Sequence, residues 1–182
     1  MGCLQSKASD KGFKDPPAKQ LDSRLPFENY RQFFNFKNSW KTVARKTDAC
    51  AQENMLLFFE RFPQHKALHT DLANLSEEQL KMSMAFQNQS EAIFNLFDDV
   101  LQKCDNNVDG AIRDCLVAGE KHKHIPGFQP EYFKDMEDTF LQACRTALED
   151  RFSEATEQNF KHFYGFVTQQ MCRALGSENN RI

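Results

Sequence analysis

Between residues 35 and 175 apolar side chains recur at helical spacing, and no stretch alternates apolar and polar residues as a half-buried strand would. The last stretch shows it best. Phe160, Phe163, Tyr164, Val167, Met171 and Leu175 fall at i, i+3, i+4, i+7, i+11 and i+15, along one face of a helix over residues 153–175. With only 7 Gly and 6 Pro, and few Val and Ile, the chain favours helices over strands. The pattern predicts an all-α body of six to eight helices, too uneven in length for a four-helix bundle.

The helices can be placed from their stripes and stops. Trp40, Val43 and Ala44 form one stripe. Met55, Leu56, Phe58, Phe59 and Phe62 form another, which ends at Pro63. A turn-like piece follows to His69. Ser76 with Gln79 three residues on is a capping box. The long helix predicted behind it carries Leu80, Ser83, Phe86, Ser90, Ile93, Phe94, Phe97, Val100 and Leu101. Residues 105–110 are a polar break. The next helix ends at His122, Pro126 and Gly127 make a turn, and a further helix is expected over 130–148.

Composition narrows the function. The chain has 18 Phe against 3 Tyr and 1 Trp, which suits an aromatic core or an aromatic-lined pocket. A net charge of −3 gives no reason to expect nucleic acid. The six cysteines (Cys3, Cys50, Cys104, Cys115, Cys144 and Cys172) show no metal-ligand spacing. With no secretory leader ahead of them, they imply a reducing compartment and thiols packed as small hydrophobes. No apolar run approaches the ~20 residues that span a bilayer.

The first residues, MGCLQSK, match the pattern Met-Gly-x-x-x-Ser/Thr, with Gly2 and Ser6 in register. Gly2 would take myristate and the adjacent Cys3 palmitate. Two acyl chains hold a protein stably at a membrane where one holds it only marginally. Lys7, Lys11 and Lys14 would add weak attraction to anionic lipid. The expected organisation is a flexible acylated tether over 1–34, a folded domain over 35–176 and a polar tail over 177–182. Phe27–Phe36 is aromatic enough to pack on the domain as the tether enters it.

One stretch collects possible chemistry: LVAGEKHKHIPGFQPEYF, residues 116–133. A helix ends at Gly-x-x-His, a turn follows, and Pro130 opens a pattern carrying Phe133, Met136, Phe140 and Leu141. Such a His is held rigidly enough to bind a metal or haem, or is simply a cation favoured at a helix C-terminus.

Several motifs in order resemble the globin family. They are SWKTV at 39–43, FFERFP at 58–63, LKMSMAFQNQSEAIF at 80–94, AGEKH at 118–122 and PEYF at 130–133. They resemble, in turn, the Trp-bearing first helix, the end of the second helix, the distal helix, the proximal helix and the start of the helix after it. With the amino-terminal motif, the chain is similar to the N-acylated, membrane-anchored globins of nematodes and other invertebrates. The resemblance implies a globin fold around haem b, with His122 as the iron ligand and His124 as the fallback.

It further implies Gln89 at the distal position, able to donate a hydrogen bond to O2, with a surface Gln as the alternative. Met55, Phe86, Ile93, Phe133 and Met136 would line the slot. Phe86, Phe94 and Phe97 are each also readable as plain core. His69 falls where the family nearly always has a Phe stacked on the haem. Either it brings polarity to the pocket and speeds autoxidation, or it points to solvent while Leu68 covers the edge. The expected function is a haem-binding redox, electron-transfer or oxygen-linked signalling protein on a cytosol-facing membrane, the plasma membrane first. Its partners would be O2 or another diatomic gas and a redox partner protein. Reversible oxygen storage or transport is the alternative, and a haemless interaction scaffold a third. No nucleophile–base constellation supports a hydrolytic enzyme.

Overall fold

The computed structural model describes residues 19–176, and every regular element there is helical. Six helices have twelve residues or more: α1 (Tyr30–Ala44), α2 (Thr47–Arg61), α5 (Met84–Lys103), α6 (Val108–His122), α8 (Glu137–Leu148) and α9 (Glu154–Gly176). Three single-turn pieces link them: α3 (Pro63–Lys66), α4 (Glu77–Lys81) and α7 (Tyr132–Asp135). This is the expected all-α architecture.

Local chemistry explains most boundaries. Pro63 restricts Phe62, which leaves the helical region at φ −129°, ψ 67°, so α2 stops and α3 restarts with Pro at its first position. Ser76 and Gln79 form both halves of the expected capping box on α4. Asn107 accepts from the Gly110 amide at 3.0 Å and opens α6. Gly127 turns the chain after α6 with φ +82°, a region that suits glycine.

Three boundaries differ from expectation. The helix predicted as one from Ser76 onward is two, because Ser83 leaves the helical region and its Oγ accepts from the Phe86 amide at 3.3 Å. The helix expected over 130–148 breaks at Met136 into α7 and α8. The packed body also starts before residue 35: Leu25 and Phe27 are buried in the core, and α1 begins at Tyr30 behind an Asn29 cap. The acylation sites Gly2 and Cys3 and the tail after Gly176 lie outside the described residues.

The core is mostly phenylalanine. Trp40 sits at its centre, stacked on Phe94, Phe97 and Phe140 at 6.1–6.3 Å, and its indole N–H donates to Asp98 at 2.8 Å. Phe33, Phe36, Phe160 and Phe163 extend this cluster through α1 and α9. A second, smaller cluster gathers Met55, Phe58, Phe59, Leu72, Leu80 and Phe86. Among the described residues, Ile93 alone packs on both. Cys50, Cys104, Cys115 and Cys144 are free and buried, as expected. Burial pushes the thiols of Cys104 and Cys115 up to about 12, which keeps them protonated and unreactive. No helix among the described residues is long and apolar enough to cross a membrane.

α6 lies against α9 at one point of backbone contact. A Cβ on Gly119 would stand 2.3 Å from the Met171 carbonyl oxygen. Backbone cannot move aside as a flexible side chain can, so Gly119→Ala must push the helices apart. We expect a loss of about 1–3 kcal/mol, read as a lower midpoint in chemical denaturation. An unchanged midpoint would mean that the two helices are not held at this distance.

Candidate functional site

His122 is the last residue of α6 and is half-buried. Its Nδ1 lies 2.8 Å from the Ala118 carbonyl oxygen one turn back. A carbonyl can only accept, so Nδ1 carries the proton and Nε2 keeps a free lone pair. Phe128 and Phe133 pack on the ring at 4.8 and 4.9 Å. Burial lowers the pKa of His122, against an opposing effect of the Ala118 hydrogen bond, and favours the neutral imidazole. A neutral ring fixed through Nδ1 with Nε2 open is the arrangement used by metal-ligating histidines. His124 is exposed.

His69 faces inward. Its ring lies 5.3 Å from Phe59 and it is half-buried. Burial lowers its pKa, and the charges of His122 and then His65 lower it further, so these imidazoles share one region. The solvent-pointing alternative is therefore not the conformation found.

His65 was not singled out from the sequence, yet it is 2 % exposed. Its Nε2 lies 2.8 Å from an Asp135 carboxylate oxygen. Its ring stacks on Phe58 at 5.0 Å and 11° and meets Tyr132 at 4.1 Å. Its buried Nδ1 has no hydrogen-bond partner. The sequence carried a partial signal: His65 follows Phe58 by seven positions and Phe62 by three, on the same helical face.

The other predicted residues divide in two. Met55 and Phe86 are each 1 % exposed and belong to the smaller cluster. Phe86 thus follows its core reading, as do Phe94 and Phe97. Ile93, Phe133 and Met136 are half-buried and sit at cluster edges. Gln89 is exposed, one turn after Phe86 and one turn before Ile93 on the same face of α5.

The residues fit a haem. The His122 ring is neutral, held through Nδ1 and flanked by Phe128 and Phe133, which is the donor and the apolar surround that such a group takes. Among the described residues no three His, Cys, Asp or Glu side chains form a metal site, so the capacity here is that of single imidazoles. A cleft of about 620 Å³ lies elsewhere, between residues 24–26, α6 and α9.

The chain belongs to the globin family, whose model matches residues 52–171. It is similar to a solved structure described as a hexacoordinated heme protein from an anhydrobiotic tardigrade at pH 4. The two are 29% identical with a TM-score of 0.80, over 84% of this chain and 97% of that one. It also resembles the hemoglobin of the botfly Gasterophilus intestinalis, at 11% identity and a TM-score of 0.74, over 82% of this chain and 99% of that one; this likeness shows the fold alone. No curated protein sequence matches the chain.

The His69 shift gives stability a definite pH dependence. Its pKa in the fold lies below the ordinary value of about 6.5, so the unfolded chain takes the proton first as pH falls. Stability should be level above about pH 6.5 and decline below it. His69→Phe should make the decline of melting temperature with pH shallower. An identical slope in the variant would show that His69 is not buried in the neutral form.

Proposed function

We propose that this globin binds haem b through Nε2 of His122 and serves electron transfer or oxygen-linked signalling at a cytosol-facing membrane, the plasma membrane first. Bound haem supplies one-electron exchange and diatomic gas binding at its iron. The chain's residues set the conditions. Ala118 orients His122, while Phe128 and Phe133 exclude water beside it. His69 puts an imidazole where an apolar ring would otherwise cover the group.

The inward-facing His69 is the observation that carries the reading. A polar, protonatable neighbour stabilises the more highly charged ferric state and tunes potential, which is of little use to an oxygen store. The similar tardigrade structure, described as a hexacoordinated heme protein, supports a haem role. The amino-terminal Gly2 and Cys3 support anchoring beside membrane-bound electron donors or acceptors.

The purified protein should show a Soret band, and His122→Ala should lose it while keeping its helical circular dichroism. His69→Phe should keep the band and raise the reduction potential, on the order of 60 mV for a tenfold change in the one-electron equilibrium. An unmoved potential would favour the second reading, reversible oxygen binding, with the exposed Gln89 amide as the donor. Gly2→Ala should move the protein from the membrane to the soluble fraction of cells; unchanged membrane recovery would refute anchoring through Gly2.

A further inference from the structure

The cleft of about 620 Å³ lies away from His122. Arg24 and Pro26 form one rim, Ile112 of α6 the back, and α9 the floor. Every ionisable side chain lining it is a base: Arg24, Lys161, His162 and Arg173. Gly165 on the floor keeps it open, since a Cβ there would meet nothing within 4 Å.

The bases are not equally available. Arg24 is held by Asp22 at 2.8 Å and Asp109 at 2.6 Å, and Lys161 by Glu157 at 2.8 Å. Arg173 has no carboxylate partner among the described residues. Its Nη1 donates instead to Oε1 of Gln170 at 2.8 Å, which fixes both side chains. Gln170 is only 4 % exposed, and its amide Nε2 donates to no group of the described residues. Phe166 and Ile112 give the same cleft an apolar wall.

We propose that this cleft binds a phosphate ester. The phosphate oxygens accept from Arg173, Lys161 and Nε2 of Gln170, and the ester's carbon portion lies on Phe166 and Ile112. Phosphate suits Arg173, the guanidinium of this lining without a carboxylate partner among the described residues, and a charge-assisted pair to guanidinium is among the stronger hydrogen bonds. A lipid headgroup and a soluble ester share this chemistry. The site is independent of haem binding and of acylation.

The test uses full-length Gly2→Ala protein, so that no acyl chain contributes. Glycerol 3-phosphate is titrated by calorimetry, and co-sedimentation is measured with phosphatidylcholine vesicles with and without phosphatidic acid. Binding in at least one arm, weakening as salt rises, is expected. Binding to the doped vesicles alone identifies a headgroup, and binding of glycerol phosphate that competes with the vesicles identifies a soluble ester. Arg173→Gln should weaken binding about tenfold, the loss of one hydrogen bond to a charged group. Gly165→Met, which fills the floor and leaves every charge in place, should weaken it at least as much. The exposed Lys134→Gln on α7 should leave it unchanged. No binding in either arm, or binding indifferent to Gly165→Met, would overturn the proposal.

Discussion

The close seat of α6 on α9 at Gly119 and Met171 is the contact on which the site depends. It fixes α6 one turn before His122. The same α9 holds the opposite side of the corner. The Tyr164 hydroxyl donates to the Phe133 carbonyl at 2.6 Å, and burial raises its pKa well above the usual phenol value, so it stays a donor. Phe133 in turn packs on the His122 ring. One long helix thus sets both the imidazole and the aromatic wall beside it, and the turn through Gly127 bridges two points that are already fixed.

The other side of the site is built differently. His65 on α3 reaches Asp135 on α7, so a polar bridge joins the second core cluster to the His122 corner. Buried polar contacts favour one arrangement of the elements they join more than they add to total stability. Here the bridge sets how the wall carrying His69 faces the wall carrying His122. The position of the inward His69 is thereby tied to both halves of the molecule.

Much of this was legible in the sequence because it is local. Helical period placed α2, α5, α6 and α9; Ser76 with Gln79 and the Phe62–Pro63 pair marked ends that the backbone obeys. The Gly-x-x-His motif located His122. What escaped was mostly non-local. Nothing near His65 announces an aspartate 70 positions away. The break at Ser83 escaped because the apolar stripe resumes on nearly the same face after the interruption, so periodicity runs through it. Met55 and Phe86, expected to line a slot, are buried in the smaller cluster, and spacing tells which face a side chain takes and not whether protein or ligand covers it. The packing of Phe27–Phe36 was legible from its aromatics, whereas the burial of Leu25 ahead of it was not, since a single apolar residue shows no period.

Among the described residues Ile93 alone packs on both core clusters, and the two differ in how they are built. The larger cluster is built from long helices that brace one another. The smaller one joins α2 and α5 to Leu72 and Leu80, which sit on a segment whose only helices, α3 and α4, have four and five residues and are too short to persist alone. Local opening therefore costs least along residues 62–83, while α6 and α9 stay closed. A rigid flat molecule that cannot thread through a packed core would pass at this hinge. How long it stays is then governed by the grip of the weaker half, and whatever loads or strips the protein has that edge to work on.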